Sequence, residues 1–567
     1  MRSAGRDTWL FWLVALLVLG AGLGLRDPWP ADEPRFMLVA QQMVESGQWL
    51  FPMRGNELYP DKPPLFMWLQ ALAFEATGHW RVAFLLPSLL ASLGTLWCVV
   101  DLGARLWTRR VGLYAGWALL FALQFTWQTK RAQIDPLATF FITAANYGLL
   151  RHMLRGPDWR MWMLGWAAAG LGTITKGVGI LALLMLLPAG VAAVRGWPVR
   201  MHARDIRWWL GPLAFLGACA LWLAPMLLAV FANAPEYDAY AHDILFRQTA
   251  TRYVDAWHHG QPPWYFLGVM ATTWLPAMLA LPWALPAWRR RLRRRDPRYL
   301  LPLAWWGLVL VFFTLSSGKR DMYILPALPM ACLALAPLLP GIVRKPAARA
   351  LAFSFAGLLA VAFLGVGLAM VWGEPAFEHM LVQRRGLEGG GEPIALFLAA
   401  VGAWGVAVLA WAGRRRAIGG LLGVLAGTWV LFGLVGAPIW NESASSRGLM
   451  AEVGAAIGRD AELGLVGWRE QQLLMADRRA FTFGFEVPFE SQLQRGLAWQ
   501  AAGPQRRWLL VQDAAMAPCI DRQRALRMDN ANRRGWWLVP GAATTDCLRR
   551  GVADATALLP DPRRQLR

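Results

Sequence analysis

Five short stretches of this chain set carboxylates and ammonium groups in stiff or tightly turning backbone. They are Ala31-Asp32-Glu33-Pro34-Arg35, Tyr59-Pro60-Asp61-Lys62-Pro63-Pro64, Lys130-Arg131-Ala132-Gln133-Ile134-Asp135-Pro136, Thr175-Lys176-Gly177 and Ser317-Gly318-Lys319-Arg320. A carboxylate beside a reacting group can orient it or take its proton. An ammonium can hold a phosphate and absorb the charge that builds on it. Both acids also have a plain structural reading. Asp32 precedes a helical pattern in Phe36, Val39, Ala40 and Met43, and Asp135 precedes Pro136, so either serves as a helix N-cap. A cap can still present its carboxylate to a ligand, and both readings stand. Glu33 is expected to point to solvent.

The elements that position these groups are membrane spans. Of 567 residues, 56% are hydrophobic, and the mean hydropathy is +0.35, above the range of soluble domains. Apolar runs of membrane-crossing length recur near 9–25, 81–101, 111–128, 135–150, 161–175, 177–194, 208–232, 264–288, 299–316, 321–340, 349–372, 393–412 and 417–437, about thirteen spans in all. Alternate connections are rich in arginine: Arg105/Arg109/Arg110, Arg151/Arg155/Arg160, Arg195/Arg200/Arg204/Arg207, Arg289 to Arg298, Arg344/Lys345/Arg349 and Arg414/Arg415/Arg416. This is the positive-inside pattern, with the N-terminus cytoplasmic. It accounts for most of the net charge of +21, and the scatter of that charge over short loops argues against a nucleic-acid partner. The first span runs into Arg26-Asp27-Pro28 without a cleavage site and is expected to be a retained anchor.

The domain reading follows. Residues 1–437 form the membrane part, with a large outer loop over 26–80. Residues 438–567 form a small α/β domain outside, in which strand-length runs at Leu463–Val466 and Trp508–Val511 alternate with helical stretches at 447–458 and 489–502. An exterior location permits a disulfide between Cys519 and Cys547, with free thiols the alternative. No internal symmetry of the kind found in transporters is visible.

Only five lysines occur, Lys62, Lys130, Lys176, Lys319 and Lys345, and all but Lys345 fall at outer span ends. The positive-inside rule disfavours cations there, so an anionic ligand accounts for them better than snorkelling does. Asp61 and His242 share that side, and carboxylate with imidazole can bind zinc. Two residues so distant in sequence are no metal signature, and the metal stays open.

The pattern Asp32-Glu33-Pro34-Arg35, then Gly47-Gln48-Trp49, then Tyr59-x-x-Lys62-Pro63-Pro64-Leu65, resembles the lipid-linked-sugar glycosyltransferases of the GT-C superfamily. Within it the chain looks most like the bacterial aminoarabinose transferase branch, which is related to the protein O-mannosyltransferases of glycosyltransferase family 39. Arg131-x-x-x-Asp135, Thr175-Lys176-Gly177 and Ser317-x-Lys319-x-x-x-Tyr323 extend the likeness over residues 1–340. The resemblance implies an all-α polytopic inner-membrane protein of GT-C type with a periplasmic α/β domain. It implies transfer of a sugar from an undecaprenyl-phosphate donor to lipid A or another envelope acceptor. Asp32 and Asp135 would be the catalytic carboxylates and Lys62 the phosphate ligand. Arg247, five residues after His242, would join it, with Lys176 and Lys319 behind. Glu33, Arg35, Tyr59, Arg131 and Tyr323 would support the site. The family pairs a Glu before the lysine with the histidine at a structural metal; here that position is Asp61, one methylene shorter. No cofactor is required for the reaction, and a monomer is expected. Aromatic residues at Trp49, Phe51, Phe66 and Trp68 are expected to line lipid entry. A protein O-mannosyltransferase, a transferase acting on another envelope glycan and a polyprenyl-lipid flippase are the alternatives.

Overall fold

The computed structural model describes residues 2–233, 237–246, 260–373, 391–532, 534–545 and 547. Apolar runs broken by Gly, Pro and charged turns make helices. In chain order these begin with α1 (Arg2–Gly20), α2 (Glu33–Ser46), α3 (Leu65–Thr77), α4 (Trp80–Ala83), α5 (Leu86–Leu106), α6 (Arg109–Leu120), α7 (Leu123–Thr129), α8 (Ile134–Arg155) and α9 (Trp159–Lys176). Each expected apolar segment falls on a helix or on a broken helix pair. Among the described residues, six helices are by themselves long and apolar enough to cross a membrane, and a seventh if the pair Tyr265–Thr273 and Ala277–Arg293, bent by 98°, is counted as one. Of the thirteen expected spans, those on α1, α8 and α9 are continuous helices outside that count, and three others are interrupted by the backbone. The run over 111–128 breaks between α6 and α7, and those over 177–194 and 321–340 each open as a 3-10 helix.

The pair α8–α9 sets one end of the site. Asp135 and Pro136 stand in the first turn of α8, and Asp158 caps α9 by accepting from the Met161 N–H at 3.1 Å. Gly148 and Gly165 face each other where the two helices cross, leaving no room for a side chain on either. Small residues allow this close approach of backbones. The pair is antiparallel, so the start of α8 and the end of α9 meet. Gly177, at φ 66°, then turns the chain out of α9, a conformation that glycine adopts without strain.

The outer loop folds as a helix, a two-stranded hairpin β1 (Met53–Arg54) and β2 (Glu57–Leu58), and a turn into α3. The faces of α2 expected to be apolar are buried, with Phe36, Val39, Ala40 and Met43 packed on Tyr59, Phe66, Ala132, Ile134 and Leu137. Phe51 and Phe66 are therefore core residues and not lining of a lipid entrance: they are 2% and 0% exposed.

The helical run after Arg414 passes through residue 438 and ends at Ser445. Beyond it lies a five-stranded sheet, ordered β4-β3-β5-β7-β6, made of β3 (Glu462–Val466), β4 (Ala480–Thr482), β5 (Arg507–Gln512), β6 (Leu526–Ala531) and β7 (Arg534–Val539). The strands β4, β3 and β5 are parallel, and β7 and β6 run antiparallel to their neighbours. Helices Arg447–Ile457 and Phe489–Ala501 coincide with the expected ones. Cys519 and Cys547 form a disulfide.

Candidate active site

Asp32 and Asp135 are brought to one turn of the structure. The Gln133 side-chain amide donates to Asp32 Oδ2 at 3.1 Å, and Gln133 lies two residues before Asp135. Asp32 precedes α2, yet its side chain makes no capping bond, which leaves the carboxylate free for Gln133. Asp135 is 6% exposed at its side chain and forms an ion pair with Lys176. The Lys176 ammonium also stands 5.1 Å from the centre of the Tyr323 ring. A cation over an aromatic face is held by the ring quadrupole, so Asp135, Lys176 and Tyr323 form one unit.

Glu33 does not point to solvent. It is fully buried and accepts from Arg26 at 2.6 and 2.7 Å, from the Trp29 N–H at 2.7 Å and from the Ala132 N–H at 3.0 Å. Arg26 donates further to the Lys130 carbonyl at 2.8 Å. A buried carboxylate needs such partners, and these ones tie the start of α2 to the segment carrying Gln133. Lys130, expected at an outer span end, is buried and donates to the Ala21 carbonyl at 2.9 Å. Lys319 is also buried and donates to the Ser316 carbonyl at 2.9 Å.

Lys62 sits in the turn between β2 and α3. Its flanks, Leu58 and Leu65, pack with Leu171 and Ile174 of α9 and with Tyr240, Ala241 and Ile244 around His242. The Lys62 turn, the end of α9 and the short helix Asp238–His242 thus share one cluster. Arg247 lies outside the described residues. Tyr59 is fully buried, with the Arg54 guanidinium 5.3 Å from its ring centre. Burial pushes the Tyr59 hydroxyl well above its ordinary range, against the pull of the Arg35 charge, so it stays a neutral phenol. The Arg131 guanidinium stands 5.6 Å from the Trp127 ring centre.

The metal reading of Asp61 and His242 fits poorly. Asp61 Oδ2 is 4.0 Å from the Arg54 guanidinium, and the His242 ring lies against Phe246 at 5.4 Å. Among the described residues no group of three His, Cys, Asp or Glu side chains is placed to hold a metal ion. No step is routed through one below.

Three residues that sequence reasoning passed over complete the frame. Asp27 accepts from Arg81 at 2.8 and 3.0 Å, from Arg447 at 2.6 and 2.7 Å and from Asn441 at 2.8 Å. Glu470 accepts from Arg35 at 2.9 Å, and Arg35 stands 3.9 Å from Asp32. Gln133 itself read as a spacer. Short loops rich in Arg and Asp are the signal available for Asp27, but Arg81 is 54 residues away and Asn441 and Arg447 more than four hundred. Through Asp27, Glu470 and the Asn56 amide donating to the Thr482 carbonyl at 3.2 Å, the α/β part is fastened to the outer loop.

Residues 61–225 match the family described as dolichyl-phosphate-mannose-protein mannosyltransferase. An undecaprenyl phosphate-α-4-amino-4-deoxy-L-arabinose arabinosyl transferase of Pectobacterium carotovorum is 31% identical over 380 residues, 64% of this chain and 66% of that protein. The chain therefore spans about two thirds of that relative's length. The protein of the same description from Pseudomonas aeruginosa is 31% identical over 453 residues, 76% of this chain and 77% of its own length. The crystal structure of ArnT from Cupriavidus metallidurans bound to undecaprenyl phosphate superposes with a TM-score of 0.70, covering 94% of this chain and 97% of that one at 20% identity. At that identity the superposition speaks for the fold, which is shared nearly end to end. The sequence likeness carries the rest: this chain belongs to the family of the undecaprenyl phosphate-α-4-amino-4-deoxy-L-arabinose arabinosyl transferases.

Proposed function

We propose that the chain is an integral inner-membrane glycosyltransferase. It takes a sugar, 4-amino-4-deoxy-L-arabinose by likeness to its relatives, from undecaprenyl phosphate and places it on lipid A at the periplasmic face. The observation that carries this reading is the joining of Asp32, Gln133, Asp135 and Lys176 at one end of the helix bundle. The family membership supplies the chemistry such a site would perform.

In this reading the donor's bond between the anomeric carbon and the phosphate oxygen breaks, and its electrons leave with the carrier phosphate. The acceptor oxygen forms the new bond from the opposite face, so the sugar inverts. Lys62 and Arg247 hold the departing phosphate, with Lys319 reinforcing the positive field at that end, while the Lys176 charge is balanced by Asp135. Asp32 orients the acceptor and takes its proton when the acceptor is a hydroxyl. A lipid A phosphate is already ionised, and Asp32 then only orients it. Asp135, neutralised by Lys176, fixes the turn that holds Gln133 against Asp32. The α/β part lies in the periplasm, where an oxidising environment maintains its disulfide, and the N-terminus lies in the cytoplasm. About thirteen segments cross the membrane, several as broken helices, and the chain works as a monomer.

The test is transfer in detergent by the purified chain, with undecaprenyl phosphate carrying labelled aminoarabinose and with lipid A and a Ser/Thr-rich peptide offered together. Label on lipid A supports the proposal. Label on the peptide favours the O-mannosyltransferase reading, for which the match over residues 61–225 speaks. Carrier lipid that crosses liposomes with no sugar moved favours a flippase.

A further inference from the structure

The arginine-rich connections meet at the end of the molecule away from Asp32 and Asp135. Arg155, at the far end of α8, donates to the Arg105 carbonyl at 3.0 Å, and Arg298 donates to the Leu106 carbonyl at 3.2 Å. The length of α8 separates this end from Asp135 by roughly 30 Å. Near it, α6, residues 276–283, residues 339–343 and the first turns of helices Pro346–Val371 and Ala417–Leu431 line an open cleft of about 150 Å³. Trp117, Trp283, Leu351, Ala352, Leu421 and Leu422 are among its walls, which are almost wholly apolar.

Three cations stand one turn or less beyond this lining. Arg110 precedes the lining residue Tyr114 by one turn of α6, Lys345 comes three residues before Ala348, and Arg416 comes two residues before Ile418. All three are exposed, and none has a carboxylate partner among the described residues. Arg416 lies over the Trp411 ring at 5.6 Å, which leaves its N–H edges available. A cleft that accepts only hydrocarbon, rimmed by charge that lacks a counter-ion, matches the two halves of an anionic phospholipid. A zwitterionic lipid would fill the cleft and leave the net charge at its rim unanswered.

We propose that this cleft holds one anionic phospholipid from the leaflet on the arginine-rich side, with an acyl chain between the helices and its phosphate on Arg110, Lys345 and Arg416. The site is separate from the proposed transfer site and does not depend on that reading. The test uses the full-length chain in a non-ionic detergent, offered phosphatidylglycerol and phosphatidylcholine of identical acyl chains, with retained lipid counted by native mass spectrometry. Phosphatidylglycerol should be retained about tenfold over phosphatidylcholine, and Arg110→Gln/Lys345→Gln/Arg416→Gln should abolish the preference. Ala352→Trp, which fills the cleft, should lower retention of both lipids; the charge variant alters exposed side chains only and carries the test should Ala352→Trp misfold. Equal retention of both lipids by the unaltered protein would overturn the proposal, as would an unchanged preference in the charge variant. One-for-one displacement of phosphatidylglycerol by undecaprenyl phosphate would overturn it too, by assigning the cleft to the carrier.

Discussion

The Gln133 amide donates to Asp32 at 3.1 Å from a position two residues before Asp135. The acid proposed to face the acceptor is thereby held by the turn that opens α8, and Gln133 is a positioning residue. Gln133→Ala should lower kcat by about ten- to a hundredfold with KM nearly unchanged, because orientation is lost and donor contacts are not. Asp32→Asn should abolish transfer with an unchanged melting temperature. Near-normal turnover in Asp32→Asn would remove Asp32 from catalysis.

The ion pair between Lys176 and Asp135 makes a second prediction. Lys176→Met would strand a carboxylate whose side chain is 6% exposed, while Lys176 itself keeps 14% exposure. The expected loss is about 3 kcal/mol, the low end for breaking a buried pair, because some water already reaches the ammonium. The double variant Lys176→Met/Asp135→Asn should recover most of that stability without recovering transfer. Melting in detergent measures the first outcome and the sugar assay the second. A single variant as stable as the parent would show that the pair adds nothing to the fold.

The disulfide closes a span of 28 residues in the α/β part. Cys519→Ser/Cys547→Ser should lower that part's stability by about 2–4 kcal/mol, read as faster limited proteolysis after Ser446. Transfer at low temperature should persist, since neither sulfur touches the site. Cys98, Cys219 and Cys332 are buried, so a thiol reagent should label the native protein only after reduction. Labelling before reduction would contradict the bridge.

How far the fold could be read in the chain depended on the range of the forces involved. Apolar segments and the strands at Leu463–Val466 and Trp508–Val511 are local patterns, and the structure keeps them, as it keeps Asp32 at the N-cap position of α2; Asp135 instead stands inside the first turn of α8, where Gln133 holds the N-cap position. Glu33 went astray because its neighbours in sequence are polar or turning, whereas its burial comes from Arg26 and the distant Ala132 N–H. Phe51 and Phe66 looked like membrane-surface aromatics, but the cores under the outer loop bury them. The fastening of that loop to the α/β part through Glu470 and Asp27 joins residues more than four hundred apart in sequence, beyond the reach of periodicity.

Asp27 carries the last prediction. Burial pushes its carboxyl toward the neutral form, but hydrogen bonds from Arg447, Arg81 and Asn441 outweigh that and hold it well below the ordinary carboxylate range. A carboxyl whose folded pKa lies below its unfolded value of about 3.9 binds protons more readily when unfolded. Its stabilisation is complete above about pH 5 and is lost progressively as the pH falls through 4 toward the folded value. Arg447→Ala removes two of the charge-assisted bonds, at 2.6 and 2.7 Å. It should cost about 1.5–3 kcal/mol at neutral pH. Because Arg81 remains, the variant should keep part of the acid sensitivity, and Asp27→Asn should lose nearly all of this contribution. The check is the melting temperature of the three proteins between pH 3 and pH 7, where the gap between parent and Asp27→Asn should narrow as the pH falls. A gap constant over that range would mean that the charge on Asp27 adds nothing to the joint between the outer loop and the α/β part.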